Sequence, residues 1–280
     1  KQLEQFKRLG LVTDFNDIYL TLNPEYEYDQ LLLFLDMVKK DLIFQDYKPV
    51  YWSWSSHSAL AEAEIEYADL DAHSIFLAFE VTNGNKVLKP GDKIVIWTTT
   101  PWTIPSNLAV AVHPDFEYVK VNTNGNNYVV AVDCLPNVAK VLGWKEYTTS
   151  EPFKGIDLEH VQYRSPLTNE SCPVICDTYV SKDDGTGLVH NAPGFGLDDY
   201  FACKKYGINV YCPIDDHGKF NNQVKIKELE NVFYEDANKI ILEMLKKNKS
   251  LLAHKVIKHS AAIDWRTKKP IMYRATKQWF

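Results

Sequence analysis

The sequence lacks a long hydrophobic run. Its longest apolar stretches, such as residues 31–35 and 74–79, are far shorter than the roughly 20 residues that a membrane-spanning helix requires. Residues 1–10 also lack the apolar core of a secretion signal, and they are typical of the middle of a longer protein. We therefore expect an excised part of a protein that neither spans a bilayer nor is secreted.

Cysteine is scarce and irregularly spaced. The five cysteines are Cys134, Cys172, Cys176, Cys203 and Cys212. An odd number without a regular framework favours reduced thiols in a cytoplasmic protein over disulfides. Cys172 and Cys176 form the only close pair, and no second pair or histidine cluster accompanies them, so we predict two strand thiols and no metal site.

The sequence also lacks an excess of positive charge. Its 31 Lys and Arg residues face 37 Asp and Glu residues, which gives a net charge of −6. Proteins that coat nucleic acid by bulk attraction are usually basic, so any RNA contact must be local. The candidates for such phosphate contacts, each of which is singly more typical of a solvated surface, are Lys204, Lys205, Lys246, Lys247 and Lys249.

The apolar pattern changes twice along the 280 residues. Three- and four-residue spacing predicts a helix over residues 26–44, whereas residues 73–213 hold short runs rich in Val, Ile, Tyr and Thr. The Asn124-Gly125 pair within this region predicts a two-residue β-hairpin. Residues 237–247 again carry apolar side chains on one helical face. The order of helix, strands and helix predicts an α+β protein.

This order is typical of a domain inserted into a host protein, because insertions succeed where the two chain ends lie close together. We predict an N-terminal stub and connecting segment over residues 1–67, a β-rich domain over residues 68–232, and a C-terminal helical connecting segment over residues 233–280. Chemistry is expected in the β-rich domain, where two unusual strings occur.

The first string, residues 94–107, reads IVIWTTTPWTIPSN. An apolar strand runs into three consecutive threonines at 98–100, and Pro101 must end the regular ladder. Threonine favours strands whatever the function, so propensity alone is the simpler interpretation. The string between Trp97 and Thr103 is too particular for propensity alone, and it indicates a strand end dense with hydroxyl groups.

The second string, residues 184–200, reads DGTGLVHNAPGFGLDDY. It predicts a strand, a glycine-rich loop, and a helix with Asp198 and Asp199 in its first turn. Carboxylates there would repel phosphate, and no G-x-x-x-x-G-K-[ST] or G-x-G-x-x-G motif is present, so a nucleotide-binding loop is not expected. One aspartate suffices to complement the helix dipole, which leaves the other free to bind a cation. The pattern alone favours a core position for His190.

Asp215 and Asp216 form the third candidate. Two adjacent carboxylates occur in hydrolases that use paired acids, but the following His217-Gly218 favours a turn. The chain contains no G-x-S-x-G elbow and no cysteine in a nucleophile signature. A hydrolase with this sequence would therefore use water as its nucleophile.

The strings WTTTPWTIPSN and GTGLVHNAPGFGLDDY together resemble the two signature segments of the editing domain of isoleucyl-tRNA synthetases. Residues 48–67 and 265–280 are similar to the sequences that join this insertion to the synthetase body, so the resemblance covers nearly the whole chain. The related valyl and leucyl enzymes typically show Thr-Thr-Arg-Pro where residues 98–101 read Thr-Thr-Thr-Pro, which favours the isoleucyl family. The resemblance implies a β-barrel-like editing domain flanked by helical segments that join a Rossmann-type synthetase core.

The resemblance implies hydrolysis of tRNA(Ile) mischarged with valine, with water as the nucleophile and isoleucine excluded. Isoleucyl-tRNA synthetase is itself the standard example of a synthetic site that rejects a substrate one methylene smaller by only roughly 10–200-fold, so a second site must remove the errors. The nearest alternative is a catalytically silent module that docks the tRNA acceptor end. A more remote alternative is an unrelated hydrolase that uses Asp215 and Asp216.

The resemblance also implies roles for individual residues. His190 would form the wall that excludes isoleucine, and Asp199 would hold the α-ammonium group of the ester. The threonine hydroxyls, with Asn107, would contact the terminal adenosine, position water and stabilise developing charge. The implied catalytic residues are Thr98, Thr99, Thr100 and Asp199. The implied substrate-binding residues are Trp97, Thr103, Asn107, His190, Asn191, Ala192 and Asp199.

The chain departs from the family pattern at several positions. Phe195 stands where many members carry His, and Asn191 stands where Thr is frequent. The segments that hold zinc-binding cysteines in some members carry Ser53, Ser55, Ser56 and Asp264 here, so we predict no metal. The two ATP-site signatures of the family are absent, so we expect no cofactor in this chain, with ATP used elsewhere in the parent enzyme. The implied partners are the tRNA acceptor end and, in cis, the rest of the synthetase chain in the cytoplasm.

Overall fold

The computed structural model describes residues 1–280, which form two compact units. The first unit comprises residues 1–46 and 278–280, and the second comprises residues 47–277. The predicted segment boundaries at 67/68 and 232/233 both fall inside the second unit, and they stay predictions. The helices are α1 (Gln2–Arg8), α2 (Pro24–Lys39), α3 (Leu135–Leu142), α4 (Leu197–Lys205) and α5 (Tyr234–Lys247). The strands are β1 (Gln45–Ser53), β2 (Ser58–Ala59), β3 (Ile65–Asn83), β4 (Lys93–Thr98), β5 (Ala109–Val112), β6 (Glu117–Thr123), β7 (Asn126–Ala131), β8 (Thr148–Thr149), β9 (Phe153–Lys154), β10 (Gln162–Arg164), β11 (Ser171–Cys176), β12 (Leu188–Asn191), β13 (Leu251–Asp264) and β14 (Met272–Trp279).

The predicted N-terminal helix is confirmed as α2. Pro24 begins this helix, as suits a residue whose missing N–H is not needed in the first turn. No residue of α2 is buried, and Leu31 is 66% exposed. None of the five helices has the length and apolarity that crossing a bilayer requires.

The larger sheet has eleven strands and mixes parallel with antiparallel pairing. Its hydrogen-bonded order is β12-β5-β11-β10-β3-β4-β7-β6-β8, with β13 beside β3 and β9 beside β6. The β5/β11 and β4/β7 pairs are parallel. The predicted mixture of helices and strands is confirmed, but the barrel-like sheet implied by the resemblance is not closed, because its two end strands, β12 and β8, are not hydrogen-bonded to each other. A second sheet has the order β14-β1-β2.

The hydrophobic core covers both faces of the central strands of the large sheet, because consecutive residues of β3 (75–79) and of β4 (94–96) are all buried. Ile94 and Ile96 of β4 are fully buried, and Phe79 of β3 stacks on Tyr163 of β10 with ring centroids 5.3 Å apart. Each such side chain contributes about 1.5–3 kcal/mol when it leaves water. The predicted hairpin is confirmed as β6/β7. Asn124 and Gly125 have φ values of 49° and 73°, as the favoured two-residue turn requires.

The C-terminal segment is helical only in part, which corrects the prediction for residues 233–280. Helix α5 is confirmed, but β13 and β14 follow it. β13 pairs antiparallel with β3 along the ribbon from Ile65 to Leu77. The sequence of β13 does not show this pairing, because its exposed positions include consecutive polar residues and the strand is held by backbone hydrogen bonds to β3.

Candidate active site

The threonine-rich string forms the end of β4 and the short 3-10 helix Pro101–Ser106 that follows it. The backbone N–H of Thr100 donates to the Thr98 hydroxyl (3.1 Å), and the two hydroxyl oxygens lie 3.1 Å apart. Thr99 and Thr100 both line an open cleft. The predicted strand end with several hydroxyl groups is therefore present in the structure.

Trp97 packs the two motif strings together. Its indole N–H donates to the Ser74 hydroxyl (2.8 Å), and its ring lies against Gly185 of the second string. Gly185 has a φ of +75°, and a Cβ on it would lie 3.1 Å from Trp97 Cε3. A side chain at this position would be strained and crowded, so glycine lets the second string approach β4.

His190 is 7% exposed and has a partner at each ring nitrogen. Its Nδ1 lies 2.8 Å from the side-chain nitrogen of Asn107, and its Nε2 lies 3.0 Å from the Thr103 hydroxyl. The Asn107 amide also donates to the carbonyl of Ala109 (3.0 Å), which identifies its nitrogen end. His190 Nδ1 must therefore accept, and Nε2–H donates to Thr103. Burial lowers the pKa of His190 to about 3, so the ring is neutral.

Asn107 lies beneath His190 and is 1% exposed. Its amide oxygen accepts from the Tyr163 hydroxyl (2.7 Å), and its nitrogen donates to Ala109 and His190. The amide is thus bonded at both ends within the protein. In the structure Asn107 supports the imidazole of His190, and its predicted contact with a nucleotide stays a prediction.

Asn191 and Ala192 continue the strand that carries His190. The Asn191 amide donates to the Tyr179 hydroxyl (2.6 Å) and to the Val189 carbonyl (3.1 Å). Asn191 is fully buried and Ala192 is 1% exposed. These two residues fix the end of β12 against its neighbours, and the backbone N–H of Ala192 is aimed at helix α4.

Asp199 lies in the first turn of α4, as predicted, and is partly buried. Its Oδ2 accepts the backbone N–H of Ala192 (2.8 Å). Gly196 makes room for the carboxylate, because a Cβ there would lie 3.1 Å from Asp199 Cγ. Burial, and then the charge of exposed Asp198, raises the pKa of Asp199 to about 7 against the opposing effect of the backbone N–H groups. The carboxylate therefore lacks the donors that would fully stabilise its charge.

The site residues form a connected set whose two ends, Thr98 and Asp199, are partly buried. Contacts run from Thr98 through Thr100 to Thr103 (hydroxyl oxygens 3.5 Å apart) and on to His190. Two residues beyond His190, the strand meets Asp199 through the Ala192 N–H. The threonine end opens onto a cleft of about 700 Å³ that neither His190 nor Asp199 lines. The structure brings the two motif strings together. The first reaches this cleft with Thr99, Thr100 and Thr103, and the second reaches it with Phe195.

The cleft also contains residues that sequence reasoning missed. Phe195, Tyr234, Glu235 and Asn238 line it with the threonines. Glu235 and Asn238 are three residues apart on α5, so they share one helix face. Two polar residues on one face of this helix, next to Tyr234, could have indicated a functional surface in the sequence. Only the fold shows that this face lies opposite the β3/β13 ribbon.

A second polar cluster occupies the segments where some family members hold zinc. The Asp264 carboxylate accepts the hydroxyls of Ser53 (2.7 Å) and Ser56 (3.0 Å), and Ser55 bonds the Thr267 hydroxyl (2.7 Å). Zinc sites need thiolate, imidazole or carboxylate ligands, and neutral hydroxyls do not supply them. These residues do not fit zinc, since the single carboxylate is already surrounded by hydroxyl and backbone donors.

Two further predictions from the sequence are confirmed. Asp215 lies in a turn closed by the Ile214–Phe220 bridge, and its Oδ1 accepts the backbone N–H groups of His217 (3.0 Å) and Lys219 (2.8 Å). That carboxylate stabilises the turn and leaves no support for a paired-acid hydrolase.

All five cysteines are free thiols, and Cys172 and Cys176 both lie on β11. Of the candidate lysines, Lys205 is bonded to the buried carboxylate of Asp177 (2.6 Å).

Known proteins share both the sequence and the fold. The chain is 51% identical over 280 residues to the isoleucine–tRNA ligase of Malacoplasma penetrans (strain HF-2), covering 100% of the chain and 31% of that protein. It is 53% identical over 281 residues to the isoleucine–tRNA ligase of Ureaplasma parvum serovar 3, again covering 100% of the chain and 31% of the relative. Among solved structures, GlLeuRS-CP1 matches with a TM-score of 0.52 and 17% identity, over 65% of this chain and 98% of that one.

These matches differ in what they establish. The structural match, at 17% identity, shows a shared fold. The resemblance to isoleucyl-tRNA synthetases, indicated by the two motif strings, is confirmed by relatives that align along the whole chain. All 280 residues also match the family of class I tRNA synthetases (I, L, M and V). The chain therefore belongs to the class I tRNA synthetases, and it spans about a third of the length of the isoleucine–tRNA ligases that it matches.

Proposed function

We propose that this chain is the editing domain of an isoleucyl-tRNA synthetase and that it hydrolyses tRNA(Ile) mischarged with valine. The observation that carries this proposal is the Asp199 carboxylate, whose pKa is raised to about 7 and which is held beside the end of the strand that carries His190. The 51% identity to an isoleucine–tRNA ligase and the fold shared with GlLeuRS-CP1 support it.

Asp199 binds the α-ammonium group of the aminoacyl ester in this proposal. A cation beside a carboxylate favours the ionised form, so binding the substrate lowers the pKa of Asp199 and offsets the cost of its burial. The resulting hydrogen bonds are charge-assisted and stronger than neutral ones. The Ala192 N–H, which donates to Oδ2 at 2.8 Å, holds the carboxylate in place for this contact.

Water is the nucleophile, and the threonine hydroxyls position it. The hydroxyls of Thr98, Thr99 and Thr100 act at the strand end, where they also stabilise negative charge that develops on the ester oxygen. Thr103 connects this loop to His190 through the 3.0 Å contact. Trp97 fixes the loop by packing on the second motif string, and it does not take part in proton transfer.

Neutral His190 excludes isoleucine in this proposal by filling the space that the extra methylene needs. An overfilled pocket costs about 1–3 kcal/mol, which suffices to favour the smaller valyl group. Asn107 acts as a positioning residue, since its amide group holds the imidazole ring of His190 through the 2.8 Å hydrogen bond to Nδ1. Asn191 holds the strand end on which His190 and Ala192 lie.

The reaction needs no cofactor within this chain, because water, an ester and fixed hydrogen-bond donors are sufficient. ATP belongs to the synthetic site elsewhere in the parent enzyme. The partners in this proposal are the acceptor end of tRNA(Ile) carrying valine and, in cis, the rest of the synthetase chain. The compartment is the cytoplasm, where free thiols such as Cys134 stay reduced.

The test is an ester-hydrolysis assay on the intact protein that contains this chain, without ATP or free amino acid. We expect rapid loss of valine from Val-tRNA(Ile) and slow loss of isoleucine from Ile-tRNA(Ile). Asp199→Ala should abolish the first reaction, whereas Asp198→Ala, at the exposed neighbour, should retain it. The alternative, a silent module that docks the acceptor end, predicts tRNA binding with no ester loss in any variant.

A further inference from the structure

A small polar pocket lies at the end of β4 that is remote from the threonines. Lys93 begins β4 and lines the pocket, whereas Thr98 ends the strand. The length of β4 separates these two residues, roughly 17 Å at the usual rise of a strand. The pocket has a volume of about 320 Å³, within the range of small-ligand sites. It is separate from the threonine-lined cleft, since no residue lines both.

The floor of the pocket is a row of charged residues on three neighbouring strands. Glu80 of β3 is in register with Arg164 of β10 on one side and with Lys93 of β4 on the other. Residues in register have their side chains on the same face of a sheet, with Cβ atoms about 4.5–5.5 Å apart. The three side chains therefore lie on one face, with a carboxylate between two cations.

The walls of the pocket are the loop between β10 and β11 and the turn after α5. The side-chain amide of Asn248, in this turn, donates to the carbonyl of Pro166 in the loop (2.6 Å). The Ser250 N–H donates to Asn248 Oδ1 (3.0 Å) and closes the turn. The Asn169 N–H donates to the Ser165 carbonyl (3.0 Å) and closes the loop. The protein's own hydrogen bonds thus hold both walls, so the pocket is formed before a ligand binds.

The cations of this pocket are not neutralised by an ion pair. The side chains of Arg164 and Lys249 have neither an ion-pair nor a hydrogen-bond partner within the protein. Lys93 donates to the amide oxygen of Asn126 (2.7 Å), which is a neutral group. With Glu80 counted against them, the three cations leave an excess of two positive charges, in a chain whose net charge is −6. A positive pocket in an acidic protein favours an anionic ligand.

The loop wall also holds two buried hydroxyl groups without partners. Ser165 is fully buried, and neither its hydroxyl nor that of Thr168 has a hydrogen-bond partner in the protein. Both residues lie in the loop that supplies Arg164 and Asn169 to the pocket. Buried polar groups are normally paired, so this loop has hydrogen-bonding capacity that the chain itself does not use.

The chemistry of the pocket favours a phosphate group. No aromatic side chain lines it, so a nucleobase would have no ring on which to stack. An arginine binds phosphate through two parallel hydrogen bonds, and a lysine adds a point charge. A phosphomonoester carries about −1.5 to −2 charges at pH 7, which matches the excess of two positive charges, whereas each phosphodiester of RNA carries one. A dianionic phosphate is therefore the better match.

We propose that this pocket binds the dianionic phosphate group of a small phosphomonoester or of inorganic phosphate, held by Arg164 and Lys249. The side-chain amide of Asn169, which lines the same pocket, is a further donor. Glu80 opposes the binding, since like charges repel. The site does not depend on the proposed hydrolysis of Val-tRNA(Ile), because it lies at the other end of β4.

The first experiment titrates inorganic phosphate into the intact protein that contains this chain, by calorimetry at constant ionic strength. Arg164→Gln should weaken binding to the pocket at least about tenfold, because it removes charge-assisted hydrogen bonds. Glu80→Gln should strengthen this binding about threefold, because it removes the repelling charge. Phosphate bound elsewhere in the intact protein is a background common to all variants, so the component that depends on Arg164 belongs to the pocket.

The control for these variants is Arg266→Gln. Arg266 is an exposed arginine outside the pocket, and its substitution changes the net charge by the same amount as Arg164→Gln. We expect phosphate binding to stay unchanged in this control. Equal affinities of the wild-type and Arg164→Gln proteins would overturn the inference. An equal loss in Arg164→Gln and Arg266→Gln would overturn it too, because net charge alone would then explain the binding.

A second pair of variants separates binding from folding. Lys249 has a φ of +62°, which glycine adopts without strain, so Lys249→Gly should retain the stability of the wild type in urea unfolding. It should nevertheless weaken phosphate binding at least about threefold, because it removes one of the cations. Lys268→Gly, at a φ of +58° outside the pocket, is the matched control and should leave phosphate binding unchanged. Unchanged phosphate binding in a folded Lys249→Gly protein would overturn the proposal.

The third experiment distinguishes the sources of the phosphate by competition for the binding that depends on Arg164. Methyl phosphate should compete as well as inorganic phosphate if the ligand is a monoester, and poorly if the pocket takes only the free ion. Dimethyl phosphate, a diester with one charge, should compete at least about tenfold more weakly than the better of the two. Uncharged tRNA should not displace phosphate. Displacement by tRNA that Arg164→Gln abolishes would overturn the proposal and assign the pocket to the RNA backbone.

Discussion

Asp199 and Asp264 are two shielded carboxylates of the same unit, and their surroundings differ. Asp264 is 1% exposed and accepts four hydrogen bonds, from the hydroxyls of Ser53 and Ser56 and from the backbone N–H groups of Arg266 and Thr267. Burial alone would raise the pKa of Asp264, but these donors hold it well below its ordinary value. Asp199 has backbone donors only, and burial raises its pKa to about 7.

The difference separates a structural carboxylate from one that is available to a ligand. The donors around Asp264 come from segments about two hundred residues apart, so its charge joins the two ends of the second unit. Asp199 keeps unused acceptor capacity, which a substrate ammonium group would fill. Strongly raised pKa values of partly buried groups are typical of functional sites. Four substitutions test this contrast.

The largest effect is expected for Asp199→Asn. We expect kcat/KM for Val-tRNA(Ile) hydrolysis to fall by about 10²–10³-fold, because the amide cannot neutralise the ammonium group. The folded pKa of Asp199 lies above its ordinary value of 3.8, so its favourable contribution is present below pH 3.8 and is lost as pH rises through about 7. At pH 8 the Asn variant should therefore be more stable than the wild type, by on the order of 1–2 kcal/mol after allowing for partial exposure. Urea unfolding measures this quantity, and a variant that loses both activity and stability would assign Asp199 a structural role.

Asp264→Ala should show the opposite pattern. Removing the carboxylate leaves the Ser53 and Ser56 hydroxyls and two backbone N–H groups without their acceptor, at a cost of about 3 kcal/mol. Urea unfolding should show this loss, while kcat for Val-tRNA(Ile) hydrolysis, corrected for the folded fraction, stays close to wild type. Ser55→Ala, which removes the contacts to the Thr267 and Ser53 hydroxyls but leaves the carboxylate and its donors in place, is the milder control. A large fall in kcat for the folded Asp264→Ala protein would show that the two carboxylates are coupled.

His190→Ala tests selectivity between the two substrates. We expect the hydrolysis of Ile-tRNA(Ile) to rise about tenfold or more relative to Val-tRNA(Ile). Shortening the side chain should remove the overpacking cost of the extra methylene, about 1–3 kcal/mol. The ratio of the two kcat/KM values is the measurement. Asn107→Ala, which removes the bond to Nδ1 but keeps the ring, should change this ratio less. An unchanged ratio in His190→Ala would remove His190 from the excluding wall.

The sequence predicts local features of this site well and long-range ones poorly. The β6/β7 hairpin, α4 with its acidic first turn, and the strand end at Thr98 all follow from short patterns that the structure confirms. The β3/β13 ribbon was not predictable, because its pairing joins residues far apart in sequence and β13 lacks an alternating apolar pattern. The spacing of apolar residues in α2 correctly predicted a helix, but only the fold shows that none of its residues is buried.

The chemistry of the site shows the same division. Sequence resemblance selected His190 and Asp199, but only coordinates show that Asn107 is buried beneath the imidazole and that α5 supplies Glu235 and Asn238 to the cleft. The sequence alone shows that zinc-binding cysteines are absent, because Ser53 and Asp264 occupy positions where some family members carry cysteine. That these residues bond each other depends on the meeting of β1 with the end of β13, which no local pattern indicates.

The smallest effect is expected for Asp198→Asn. The charge of Asp198 is one of the causes that raise the pKa of Asp199, and this neighbour is exposed, so its contribution is screened by water. In the proposed mechanism hydrolysis requires ionised Asp199, so kcat/KM for Val-tRNA(Ile) should rise with pH around a midpoint near 7 in the wild-type protein. Removing the Asp198 charge should move that midpoint down by about 0.3–0.5 pH units, since it makes ionisation of Asp199 easier. Asp236→Asn, a matched loss of charge in the first turn of α5, should leave the midpoint unchanged. A midpoint that moves equally in both variants would mean that net charge, and not the adjacent carboxylate, sets the pH dependence.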